Sequence, residues 1–351
     1  MHGSRTWWLS PVVAMGAACS STGARPALVP TVAFTSTRHD SAAVRLYPVA
    51  EIYFANEDMT NVRRITTNGF YDAFPTISPD GTRVMFDSAE RGGSTWNNPD
   101  LYVMAVDGSG RAYLDHGASG TWSRDSKVVA YHASASGKGA AIRPQPSAAT
   151  IDSDIFTLNV DDFLAGVAHR SNITNSPDAV DEDPDWSPTA DVIIYTSHSV
   201  TSSQGSPADA EIYLRNADGT GAATRLTQNT QEERAPAWSP DGTKIVYMCK
   251  EVFDEATRMP IIVGPDFEIC VMNANGTGQR ALTHNTVGDL TPNWSVDGTK
   301  IFFHRSVPVS GPTYLEMFLM NADGTGLRQL TSPPGHNAFP NPGSVRARIP
   351  D

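Results

Sequence analysis

Runs of four to six β-branched and aromatic residues alternate along the chain with short clusters of Pro, Asp, Asn and Gly. The runs are apolar at consecutive positions, as in Ile245-Val-Tyr247 and Ile301-Phe-Phe303. A strand wet on one side would alternate, so continuous apolarity predicts strands covered on both faces. The clusters are turn chemistry. In Ser-Pro-Asp-Gly the Pro presets φ, the Asp bonds its own backbone and the Gly takes a positive φ.

Two segments recur. The first, Trp-Ser-Pro-Asp-Gly-Thr-Lys-Ile-x-(Phe/Tyr) in its fullest form, occupies 77–86, 122–131, 186–195, 238–247 and 294–303. The second starts at Glu51, Asp100, Asp154, Glu211, Glu268 and Glu316, at spacings of 49, 54, 57, 57 and 48 residues. Its later copies read Glu-Ile-Tyr-x-Met-Asn-Ala-Asp-Gly-Thr-Gly and end on Arg-x-Leu-Thr. A period near 50 built from short strands predicts a propeller. Each repeat supplies four strands: A before Ser-Pro-Asp-Gly, B after it, C at the acid, and D at Arg-x-Leu-Thr. Thr31–Thr35 reads as a lone B strand, and 337–343 matches 72–78 as a degenerate A strand. The expected fold is therefore an all-β, six-bladed propeller in residues 31–351, four antiparallel strands per blade. The C-terminal strand joins the N-terminal blade and leaves no open edge.

These repeats resemble those of the TolB-like, WD40-like propeller family, over roughly residues 31–343. TolB itself carries an α/β domain before its propeller, which this chain lacks room for between Cys19 and the first strand. The resemblance implies a cell-envelope propeller that binds a partner.

Charge and the N-terminus narrow the picture. Asp plus Glu is 38 against 26 Lys plus Arg, a formal charge of −12, and no basic cluster exists to meet nucleic acid. Arg5 precedes an apolar stretch from Trp7 to Met15, then Gly16-Ala17-Ala18-Cys19. This order is that of a signal peptide, residues 1–19. The small residues before Cys19 resemble a lipobox, with Gly16 where Leu is usual, which implies lipidation of Cys19; simple signal cleavage is the alternative. Residues 20–30 read as a tether. The expected product is an exported monomer, periplasmic or lipid-anchored.

Candidate chemistry follows from placing residues on blades. The B–C connections are long and the A–B and C–D turns tight, so elaboration lies on the B–C and D–A face, where function is expected. Asp72, Asp181, Glu233 and Asp289 each stand three residues before the Pro of strand A. At the channel mouth they would hold Ca²⁺ or a basic peptide of an envelope protein; capping of their own turns is the plainer reading. His132, His304 and Asp87 share the position after the aromatic of strand B. Equivalent positions on different blades can converge on a metal, which keeps a polysaccharide lyase or hydrolase as the alternative to a non-catalytic binding module. Cys249 and Cys270 are expected opposite each other on adjacent strands of one blade, a placement that export makes fit for a disulfide; two buried thiols are the other reading.

Overall fold

The computed structural model describes residues 28–40, 49–91, 98–134, 153–167, 169–199, 210–230, 232–254, 259–262, 266–310 and 312–345. Residues 1–27, which hold the expected signal sequence, Cys19 and most of the expected tether, and much of the B–C connections lie outside them.

Each Ser-x-Asp cluster closes into a turn through its own side chains. Ser239 Oγ donates to Asp241 Oδ1 at 2.6 Å, and the same carboxylate takes the Thr243 amide at 3.0 Å. The Lys244 amide then donates to Ser239 Oγ at 2.9 Å, which sets strands A and B antiparallel. Ser78/Asp80 and Ser295/Asp297 repeat this arrangement. In the C–D turns, Asp218 takes both the amide and the hydroxyl of Thr220, as Asp323 does for Thr325.

The second repeat has an internal logic too. The acid that opens strand C is buried and turned toward the D–A connection. Glu51 takes Arg64 and the Gly69 amide, and Glu211 takes Arg225 and the Asn229 amide. The Thr that ends Arg-x-Leu-Thr accepts the next C-strand amide, as Thr227 does from Ile212 at 2.9 Å and Thr283 from Ile269 at 2.9 Å. The repeated acids and threonines thus fasten strand D, which is only two residues long in five blades.

Six four-stranded sheets result. From blade 2 to blade 6 the A strands are Asp72–Ile77, Ala118–Trp122, Ala179–Trp186, Glu233–Trp238 and Asp289–Trp294. The A strand of blade 1 is the C-terminal Asn337–Val345, paired with the N-terminal B strand Val29–Ser36 from Val29↔Val345 to Ser36↔Asn337. The A strand runs two residues past its expected end, the B strand starts two residues before Thr31 and ends one after Thr35, and Val29 and Pro30 therefore belong to the blade. Beyond the pairing, Asn337 Oδ1 accepts from Ser36 Oγ at 2.8 Å and from Arg38 Nη2 at 2.7 Å. Neighbouring A strands touch around the whole ring, in the order of the blades. Between blades the core is apolar. Met85, Leu101 and Val103 of blade 2 pack on Trp122, Val129 and Tyr131 of blade 3. The repeated Trp also staples blades: Trp122 Nε1 donates to Thr76 O and Trp294 Nε1 to Ala237 O.

Two elements depart from the repeat. The C–D connection of blade 3 is not a tight turn but carries a short helix, α1 (Val160–Leu164), capped by Asn159, whose side chain accepts the Asp162 amide. In blade 5 the B–C connection forms a hairpin of Glu251–Asp254 with Met259–Ile262. Cys249 and Cys270 at its base form a disulfide with Cα atoms 5.9 Å apart. They are not directly opposed, as the sequence reading had them. Cys249 faces Glu268 and Cys270 faces Tyr247, so the bridge runs diagonally. Diagonal neighbours in a sheet lie within reach of each other.

Two outcomes are expected. Deleting residues 336–351 removes the A strand of blade 1 and exposes the edge of Val29–Ser36, so the melting temperature of the whole ring should fall; an unchanged value would refute the closure. Alkylation without reductant, read by intact mass, should leave Cys249 and Cys270 unmodified. A Cys249→Ala/Cys270→Ala variant should lose about 3 kcal/mol, the chain-entropy value for a loop of this size.

Candidate functional site: the axial funnel

All six A strands carry a bulge at one position. In blade 2, Ala73 pairs with Asp87 and Thr76 with Met85, which leaves Phe74 and Pro75 outside the ladder. The first residue of each bulge has a positive φ: Phe74 at 52°, Ser119 at 51°, Asp183 at 49°, Ala235 at 48°, Thr291 at 44° and Phe339 at 53°. Pro follows in five blades and Gly120 in the sixth. Pro has no N–H to waste where the ladder is broken. At Gly120 an added Cβ would meet the end of the Met85 side chain, with Sδ at 2.7 Å, which would have to move aside.

The bulges re-aim side chains at the axis. Two rings line it, Phe74, Ser119, Asp183, Ala235, Thr291 and Phe339, then Thr76, Thr121, Asp185, Ala237, Asn293 and Asn341. They bound a funnel of about 500 Å³ that reaches the A–B turns, where the exposed Pro79, Arg124, Pro188, Pro240, Val296 and Leu28 form the rim. The described cavity therefore opens at the end opposite the B–C and D–A face. Phe74 and Phe339 stack with centroids 3.7 Å apart on one wall. Blade 4 faces blade 1 across the ring, so Asp183 and Asp185 stand opposite Phe339. Asp185 accepts Trp238 N at 2.7 Å and Thr121 Oγ1 at 3.0 Å. Burial raises its carboxyl to about 6, and these hydrogen bonds offset only part of that.

The residues singled out from sequence lie elsewhere. Asp72 is fully buried and holds Arg111 at 3.0 and 3.2 Å, Ser88 Oγ at 2.6 Å and Asn68 Nδ2 at 3.0 Å. Burial raises its pKa, and Arg111 works against that. Asp289 is fully buried in a two-pronged pair with Arg305 at 2.6 and 2.7 Å. Asp181 is buried beside Ser197, Thr174 and Ser176, its carboxyl raised by burial and lowered by those hydroxyls. Glu233 is fully buried near Tyr247. The four acids are interior groups of their own blades and do not line the funnel. Asp72 and Asp289 spend their charge on an arginine, not on turn amides.

Asp87, His132 and His304 have a shared role that their common position encodes. Each accepts the bulge amide of the next blade: Ser119 N reaches Asp87 Oδ1 at 3.0 Å, Asp183 N reaches His132 Nδ1 at 3.2 Å, and Phe339 N reaches His304 Nδ1 at 3.4 Å. Thr35 and Thr196 hold the same position and take Phe74 N and Ala235 N, both at 3.2 Å. Blade 5 has Met248 there. No group of three or more His, Cys, Asp or Glu with metal-binding geometry occurs among the described residues.

No family model and no curated protein matches the chain. Among solved structures, TolB from Acinetobacter baumannii matches with a TM-score of 0.65 at 18% identity, over 89% of this chain and 66% of that one. This chain thus spans just under two thirds of that protein's length. A putative TolB from Agrobacterium tumefaciens matches with 0.56 at 18%, over 91% and 93%. The hydrazine synthase of Kuenenia stuttgartiensis matches with 0.61 at 13%, over 92% and 47%. In fold, the chain is a TolB-like six-bladed β-propeller. At these identities the likeness concerns architecture. No helix among the described residues of this TolB-like propeller is long and apolar enough to cross a membrane.

One charged network sits beside the funnel. Arg234 donates to Glu182 at 3.0 Å and to Glu232 at 2.9 Å, Lys250 reaches Glu232 at 3.2 Å, and His198 Nε2 lies 3.7 Å from Glu182. Against a desolvation that raises it, His198 and Arg234 hold the Glu182 carboxyl below the usual carboxylate range. Asp183 adds to the field on Arg234. Neither these residues nor Asp183, Asp185, Phe74 and Phe339 were picked out from the sequence. The available signal was the departure of Glu182-Asp-Pro-Asp185 from the other A strands.

His304 supplies the pH test. Burial lowers its pKa from 6.5 to about 3. A depressed value means stability present above pH 6.5 and lost as pH falls toward 3. His304→Gln keeps an acceptor for Phe339 N and cannot titrate. Urea midpoints of the two proteins should therefore converge, or cross, between about pH 6.5 and 4. A constant gap across that range would show that His304 is not held neutral.

Proposed function

We propose that this chain is an exported cell-envelope propeller that binds a protein or peptide partner and catalyses no reaction. The observation that carries the reading is the axial funnel, an apolar-walled, proline-rimmed cavity large enough for a few side chains of an extended segment. The TolB-like architecture supports it at the level of fold. The contact was expected on the B–C and D–A face; the cavity lies at the other end, and the proposal follows the cavity. The lyase or hydrolase alternative rested on His132, His304 and Asp87, whose acceptor atoms serve the bulge amides. Export by the N-terminal signal, a lipid anchor at Cys19 and a monomeric state complete the reading. Ca²⁺ at the four interior acids is not part of it.

The test is site-specific photocrosslinking in envelope extract. A benzophenone side chain at Pro240 or Val296, on the rim, should capture a discrete partner. The same group at Phe70 or Val309, toward the opposite face, should not. Capture only from Phe70 or Val309 would move the site to the loop face and refute the funnel.

A further inference from the structure

The funnel has two unlike walls, and together they specify a ligand. Phe74 and Phe339, both partly exposed, form a stacked aromatic wall in blades 2 and 1. Asp183 and Asp185 stand on the facing blade, both partly exposed to the cavity. The single described cation lining the funnel is Arg124, at the rim, and its guanidinium is taken by Asp191 at 3.1 Å and Thr189 O at 3.4 Å.

The blade-4 side carries more negative charge than its neighbours balance. Asp183, Asp185, Glu182 and Glu232 face two cations: Arg234, engaged by Glu182 and Glu232, and Lys250, engaged by Glu232. Two imidazoles lie close: His132, which accepts the Asp183 amide, and His198 beside Glu182. Asp185 is held by an amide and a hydroxyl, and no cation is among the groups that act on it. A partly buried carboxylate without a counter-charge is costly, and a cation entering the funnel removes that cost. The aromatic wall suits the same guest, because an aliphatic stem packs on it and a cationic head is attracted to the ring face.

We propose that the funnel recognises an organic monocation, the guanidinium or ammonium of an Arg or Lys side chain on an extended partner segment, with its head between Asp183 and Asp185 and its stem against Phe74 and Phe339. This rests on the funnel being the binding site proposed above, and adds the chemistry of the residue that enters it. A divalent metal would want several converging oxygens with no aromatic wall. A neutral or acidic side chain would leave Asp185 without a counter-charge.

The test measures binding of four capped tripeptides to the full chain by calorimetry: acetyl-Ala-X-Ala-amide with X as Arg, Lys, Ala or Glu. The Arg and Lys peptides should bind, more weakly as salt rises, and the Ala and Glu peptides should not. Asp185→Asn, which keeps shape and an acceptor, should weaken the Arg peptide by about tenfold, the value of one charge-assisted contact. Phe74→Leu should weaken n-butylguanidinium more than guanidinium itself, because only the former has a stem. Equal binding of all four peptides, or competition of Ca²⁺ alone, overturns the proposal; so does an Asp185→Asn variant that folds and binds unchanged. The peptide series on the wild-type chain needs no variant, so a misfolded substitution cannot shield the idea. Rim crosslinking to an envelope partner without cation binding overturns this inference and keeps the binding reading. Cation binding without a crosslinked partner supports the inference and removes the reading.

Discussion

The ring depends on one hydrogen bond repeated between blades: the amide of the bulge in strand A, given to a side chain of strand B in the preceding blade. The bulge takes two residues out of each inner ladder. One is Pro in five blades and has no donor. The other has an N–H that faces the preceding blade, and an orphaned buried amide costs roughly 1–3 kcal/mol. It also has a positive φ without being glycine, a strain of about 1–3 kcal/mol that persists only where the surroundings over-determine it. Here they do, because the acceptor belongs to another blade and its distance is fixed by the apolar packing between sheets. Ring closure and bulge geometry therefore support each other. Met248 shows the tolerance: blade 5 lacks the acceptor, and in blade 6 Thr291 is tied instead through its hydroxyl to His304 Nδ1 at 2.7 Å.

Fold was legible from the chain because the repeat encodes turns and strand ends locally. Ser239, Asp241 and Thr243 close a turn using atoms within a few residues of one another. The closure of blade 1 was legible because 337–343 keeps the Ala-Phe-Pro of 72–78. Helix α1 was not, since five residues held by one Asn cap carry no periodic signal. The diagonal course of the disulfide was not either, because register depends on strand pairing that spacing alone leaves open by a residue or two.

The site was legible only in part. Asp72, Asp181, Glu233 and Asp289 drew notice because they recur, and recurrence in a propeller marks what every blade needs. Each blade must bury the start of strand A, and a carboxylate there is satisfied inside its own blade, by Arg111 for Asp72 and Arg305 for Asp289. Asp87, His132 and His304 also recur for a structural reason, but the amide each accepts belongs to the next blade. Their common position is a structural requirement for an acceptor, which Thr35 and Thr196 meet equally well.

A six-fold scaffold can be made specific for a partner only by breaking its own symmetry. An identical ring at the axis would present one chemistry from every side. This chain places aromatic rings in blades 1 and 2, a hydroxyl or small group in blades 3, 5 and 6, and two carboxylates in blade 4, all at positions fixed by the same bulge. The bulge supplies direction and the deviations supply chemistry. Asp185 shows the cost of that division: where other blades place Thr, Ala or Asn, blade 4 holds a carboxyl that burial pushes up to about 6. A raised carboxyl pKa means stability is lost as pH rises through about 6, so at neutral pH this residue works against the fold. A position that opposes stability while lining a cavity is where function is the more economical explanation.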